Sequence, residues 1–132
     1  MTLSKYMRPK IVKANSLKEY STPEGCYLFE NWGWVSAKNK EVSIARARVT
    51  PGMITKAHHL EKVQEIYLIT QGRGRVYIGD MAPEEVVEGD IVVIPEGVSQ
   101  KIANIGEEDL IFYCICTPSF TESSYRDDEA AN

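Results

Sequence analysis

Across residues 26–117 the apolar residues fall at alternate positions or in short runs, and Gly, Pro, Asn and Asp separate them at regular intervals. CYLFENWGWV and EVSIARARV are rich in β-branched and aromatic residues, and Pro51-Gly52 then turns the chain. VQEIYLIT follows, then a Gly72-Arg73-Gly74 break, RVYIGD, a MAPEE loop, VVEGDIVVIP, a Glu96-Gly97 turn, VSQKIANI and LIFYCICTP. Short strands joined by such turns, with no amphipathic helix between them, predict an all-β sandwich or closed barrel and exclude a parallel α/β sheet. One helical turn is predicted, over residues 15–20, with Ser16 as cap and Glu19 three residues on. Thr22-Pro23-Glu24-Gly25 breaks it. The polar, acidic end TESSYRDDEAAN is expected to fray or lie on the surface.

Composition narrows the function classes. A chain of 132 residues with 43% hydrophobic side chains makes one domain with a real core and needs no covalent staples. The formal net charge is −4 and no dense Lys/Arg cluster exists, so the attraction to phosphate that nucleic-acid binders rely on is missing. The first ten residues carry charge and no apolar run, and no stretch reaches bilayer length, so neither export nor a membrane partner is expected. Cys26, Cys114 and Cys116 are odd in number and lack CxxC spacing, which reads as reduced thiols in a cytoplasmic protein.

Two glycine-bounded stretches carry the functional signal. The first runs from Gly52 through His58, His59 and Glu65 to Gly72; the second runs from Gly89 through Pro95, Gly97 and Gln100 to Asn104. Both resemble the paired motifs of the cupin superfamily. Gly52, His58, Glu65 and Gly72 match the first without a gap, and Gly89, Pro95, Gly97 and Asn104 match the second. The resemblance is to small single-domain cupin-2 proteins of the mannose-6-phosphate-isomerase-like kind and extends over residues 43–120. It implies a double-stranded β-helix, or jelly-roll barrel, with residues 1–40 as an N-terminal extension and first strands. Residues 41–120 would form the barrel core and residues 121–132 an acidic flexible tail. It also implies a homodimer, often paired through an N-terminal strand, for which residues 9–14 are the candidate.

In the family, two histidines of the first motif, its Glu and a histidine of the second converge on a divalent metal. Side chains two apart on a strand share a face, so such a set can aim into a barrel, where it suits Zn, Mn, Fe or Ni. Here Leu60 and Gln100 stand at two of the histidine positions, leaving His58 and Glu65. Gln100 offers a weaker amide oxygen. His59 points outward in a regular strand, whereas a bulge would turn it in and rebuild a His58, His59, Glu65 and Gln100 site.

Other residues enter with alternatives open. Tyr67 shares the face of Glu65, as a catalytic acid, a substrate contact or a packed core phenol. Arg46 and Arg48 alternate with Ala45, Ala47 and Val49, so they line the barrel as anion ligands or form a solvated strand face. Gln100 is a substrate contact or a wall residue. Trp32 and Trp34, two apart, are placed on one face for packing or an interface. Cys114 and Cys116 share a face with Leu110 and Phe112 as small buried hydrophobes. Glu84, Glu85, Glu88 and Asp90 lack the spacing of a calcium loop. The resulting expectation is a cytoplasmic barrel that binds a small sugar-like or carboxylate molecule. Three readings follow: a metal-dependent isomerase, epimerase or dioxygenase, a metal-free binding or sensing module, and a structural domain whose barrel is filled.

Overall fold

The computed structural model describes residues 8–129. Its strands are β1 (Tyr20–Ser21), β2 (Tyr27–Trp32), β3 (Ser43–Val49), β4 (His58–Leu60), β5 (Gln64–Gln71) and β6 (Arg73–Ile78). β7 (Glu84–Val87), β8 (Ile91–Ile94), β9 (Gln100–Asn104), β10 (Leu110–Thr117) and β11 (Tyr125–Asp127) complete them. They form two antiparallel sheets, one in the order β1-β2-β3-β10-β5-β8 and the other in the order β11-β4-β9-β6-β7. The architecture is all-β, as the alternating pattern predicts, and takes the jelly-roll form that the resemblance implies.

Between the sheets the side chains fall into two zones. Val49, Ile69, Ile94, Ile102 and Leu110 are essentially excluded from solvent and fill one end of the barrel. The other end is lined by smaller and more polar side chains and stays open. Asn104 closes the packed end: its Nδ2 donates to Val49 and Glu108 carbonyls at 2.8 Å, and its Oδ1 accepts from the Gly106 amide at 2.9 Å.

Several expectations change. The helical turn over residues 15–20 is replaced by a 3-10 turn at Ala14–Ser16, where Ser16 Oγ donates to the Lys13 carbonyl at 2.6 Å. Tyr20 and Ser21 instead pair with Leu28 and Tyr27, because a strand partner across the turn satisfies their backbone groups better than an isolated helical turn does. Trp32 ends β2 and Trp34 begins the four-residue helix α1 (Trp34–Ala37), so the two indoles do not share a strand face. VVEGDIVVIP is split by a turn at Gly89, with Asp90 Oδ2 accepting from the Val87 amide, and its halves join different sheets.

The acidic tail is also corrected. Residues 122–124 form a 3-10 turn and β11 pairs with β4, with Tyr125 opposite Leu60 and Arg126 opposite His59. A three-residue edge strand such as β4 leaves unpaired N–H and C=O groups, and β11 covers them. Residues 130–132 lie outside the described residues, as does most of the segment read for an export signal, residues 1–7.

Gly72 sits at φ +88°, and a Cβ there would stand 2.8 Å from the Asp109 carbonyl oxygen and 3.0 Å from Leu110 Cα. Gly52 is also at positive φ (+80°), with no atom within 4 Å of a Cβ position. Gly72→Ala is expected to lose about 3 kcal/mol in urea denaturation, and Gly52→Ala only about 1 kcal/mol. Equal losses would show that backbone crowding at Gly72 is not the constraint.

Candidate functional site

The open end of the barrel is a cavity of about 440 Å³. Alternation along each strand supplies its walls: Ser43, Ala45 and Ala47 from β3, Phe112, Cys114 and Cys116 from β10, and Glu65 and Tyr67 from β5. His58 and Leu60 come from β4, Ile102 from β9, and Cys26, Leu28 and Glu30 from β2 and the turn before it. In the ladder Cys116 lies between Ser43 and Glu65, and Cys114 between Ala45 and Tyr67. Small side chains on two adjacent strands leave empty volume that Leu or Ile would have filled. Toward solvent the rim is made by Tyr20, Glu24, Glu122, Phe120 and Tyr125.

The buried polar groups are unevenly satisfied. His58 is buried; its Nδ1 lies 3.0 Å from the Lys56 carbonyl, so it donates there, and its ring stacks on Tyr125 with centroids 5.0 Å apart. Glu65 is buried and its Oε1 has no hydrogen-bond partner. Burial pushes its carboxyl above the usual range; nearby His58 and the Gln100 amide oppose that, while the Glu24 charge adds to it. Tyr67 donates its hydroxyl to Gln100 Oε1 and packs its ring on Phe112, centroids 4.7 Å apart. Burial holds the phenol well above its ordinary value, with the Glu65 charge adding to the effect. Such a phenol donates a hydrogen bond but is a poor proton source.

All three thiols line the cavity and are free. Burial pushes Cys26 up to about 12, and it also raises Cys114 and Cys116, with Glu65 adding to both. They are protonated at neutral pH, which makes them poor nucleophiles.

The predicted site residues divide into three groups. His58, Glu65 and Tyr67 reach the cavity. Gln100, opposite His58 in the β4–β9 pairing, is fully buried behind it; its Oε1 is taken by Tyr67 and its Nε2 has no partner. His59 points outward, because β4 pairs regularly with β11 and no bulge re-aims it; its Nδ1 lies 2.7 Å from Asp128 Oδ1 and its Nε2 3.3 Å from Glu61 Oε1. Arg46 and Arg48 occupy the outer face of β3. Arg48 pairs with Glu19 at 2.9 Å and Asp109 at 3.2 Å, while Arg46 stands 3.8 Å from Glu19. Neither arginine faces the barrel, because Ser43, Ala45 and Ala47 take that face.

The expected metal ligands therefore do not converge. One imidazole and one carboxylate remain in the cavity, the second imidazole is ion-paired outside, and the amide oxygen is committed to Tyr67. Among the described residues no group of three or more His, Cys, Asp or Glu is placed to hold a metal ion. Such a donor set does not fit the divalent metal that the resemblance implies.

Glu24, Glu30 and Glu122 are cavity residues that the motif spacing does not reveal. The alternation Cys26, Leu28, Glu30 marks one strand face and is a usable signal for Glu30. Glu24 and Glu122 come from segments with no periodicity.

Residues 45–116 match the cupin domain family. An uncharacterised protein of Methanocaldococcus jannaschii is 34% identical over 114 residues, covering 85% of this chain and 90% of that one. Among solved structures, KdgF from Halomonas sp. superposes with a TM-score of 0.73 at 14% identity, over 84% of this chain and 96% of its own. A predicted oxalate decarboxylase from Thermotoga maritima gives 0.69 at 23%, over 83% and 99%. These two structural likenesses show the fold alone.

Contact with Asp128 raises the His59 pKa, burial opposes it, and Glu61 adds to it; Arg126, across the ladder, is the cation on the facing strand. A raised folded-state value means that this contribution is complete below about pH 6.5 and is lost as pH climbs through the folded pKa. The destabilisation caused by Asp128→Asn in urea melts is thus expected to be larger at pH 6 than at pH 9. A pH-independent difference would remove His59 protonation from the attachment of β11.

Proposed function

The chain belongs to the cupin domain family, and we propose that its barrel is a binding chamber for a small polar molecule without negative charge, and that it works without a central metal. The observation that carries this reading is the cavity lining. Glu24, Glu30, Glu65 and Glu122 face or rim it, His58 is its one basic side chain, and no Lys or Arg takes part. A carboxylate or phosphate would meet repulsion from these carboxylates and find no Lys or Arg to pair with. That argues against the carboxylate half of the expected ligand class, and oxalate, named for one structural neighbour, is a small dianion of that kind.

A volume of about 440 Å³ is in the range of small-molecule sites and counts against a filled, purely structural barrel. A metal-dependent isomerase, epimerase or dioxygenase would need donors that the barrel does not bring together, so the non-catalytic binding or sensing module is the better supported reading. Metal analysis of untagged chain exposed to Zn, Mn, Fe and Ni is expected to give well under one ion per chain. One ion per chain that is lost in His58→Ala would overturn the metal-free reading.

The protein acts as a homodimer in this proposal. Across the outer face of the larger sheet, Trp32, Ile44, Ile115, Ile66 and Val93 form one cross-strand row, and Val93 is 58% exposed. The N-terminal segment starts beside that row, with Lys10 Nζ 4.9 Å from the Trp32 ring centroid. Its Ile11 is 80% exposed. A second copy would bury both the row and this segment. Three free thiols suit the reducing cytoplasm, and among the described residues no helix is long and apolar enough to cross a membrane.

Light scattering is expected to show a dimer for the full chain and a monomer for a chain beginning at Glu19, which keeps its pair with Arg48. A dimer that survives this truncation would remove the N-terminal segment from the interface.

A further inference from the structure

Glu65 is 7% exposed, it lines the cavity, and its Oε1 has no hydrogen-bond partner. Buried carboxylates in folded proteins are nearly always paired, because an uncompensated one is costly. The one basic side chain of the lining is His58, which stands near Glu65 but makes no hydrogen bond to its Oε1. Lys and Arg are missing from the lining, and His58 spends its Nδ1–H on the Lys56 carbonyl.

The rest of the cavity fits a positively charged guest. Phe112, Tyr67, Phe120 and Tyr125 contribute aromatic surface, whose negative π-faces attract a cation, most strongly where water is excluded. Glu24 at the rim and Glu30 in the wall are half-buried and add negative potential to the cavity. Leu28 and Leu60 supply apolar wall for a hydrocarbon body.

Resting on the reading of the barrel as a ligand chamber, we propose that its ligand is a compact organic cation, an amine or quaternary ammonium with an apolar body, held with its charge against Glu65. Pairing would supply the missing partner of Oε1 with a charge-assisted hydrogen bond or close ionic contact. This differs from recognition of a neutral sugar-like molecule, which would bring no counter-charge to the buried Glu65.

Three probes of nearly equal size separate the possibilities: isobutylammonium, isobutanol and isobutyrate, titrated calorimetrically into the full-length protein. Isobutylammonium is expected to bind at least about tenfold more tightly than isobutanol, the factor that a charged over a neutral hydrogen bond supplies. Isobutyrate is expected not to bind. Glu65→Gln keeps the side-chain shape and is expected to abolish the preference for ammonium over alcohol. Glu30→Gln, at a less buried position, provides a second variant and is expected to weaken ammonium binding alone. Equal affinity for ammonium and alcohol in the wild type would overturn the cation proposal and leave the chamber reading standing. Tighter binding of isobutyrate would overturn both, as would failure of all three probes to bind.

Discussion

β10 lies between β3 and β5, and its register there decides what the barrel contains. With Cys116 opposite Ser43 and Glu65, and Cys114 opposite Ala45 and Tyr67, small and polar groups turn inward together. A slip of one residue would exchange the faces of β10, bringing Ile111, Tyr113 and Ile115 into the cavity and sending the thiols out. The packed end holds the register, because Leu110 and Val49 are paired across the same ladder and both are fully excluded from solvent.

From that register follows the separation of charge. The same alternation that lines the cavity with Ser43, Ala45 and Ala47 places Arg46 and Arg48 outside, where Glu19 and Asp109 pair with them. Positive side chains are thereby withdrawn from the interior, and Glu65 is left with His58 and the Gln100 amide as its polar surroundings. On β4 the outcome is similar: His58 turns inward, and His59 is held outward by Asp128 and Glu61. A barrel built on the framework of its family thus carries a different interior, since the glycines, Pro95 and Asn104 shape turns whichever side chains the walls present.

Segments outside the matched family region complete the chamber. Cys26, Leu28 and Glu30 from the first strands, and Glu122 and Tyr125 from the C-terminal segment, form much of its wall and rim. β11 is attached through main-chain pairing to β4 and through Asp128 to His59, and Tyr125 then stacks on His58. The outer face of the larger sheet stays apolar along the row from Trp32 to Val93, so this row lies on the opposite side of the sheet from the acidic cavity.

The sequence by itself determined the all-β class, most strand positions and the turns. Period-two alternation and Gly/Pro punctuation are local properties of the chain, and the strands β5, β6, β8, β9 and β10 follow them. Motif spacing likewise placed His58, Glu65 and Tyr67 on cavity-facing positions. Only the tertiary structure decided the phase of β3, since Ala and Arg alternate there and either face was sterically acceptable until β2 and β10 packed against it. The direction of His59 depended on the absence of a bulge, which is set by pairing with β11, a strand formed from residues with no strand-like pattern. Glu24 and Glu122 joined the site through chain closure over long sequence separations, and no local periodicity encodes a contact of that kind.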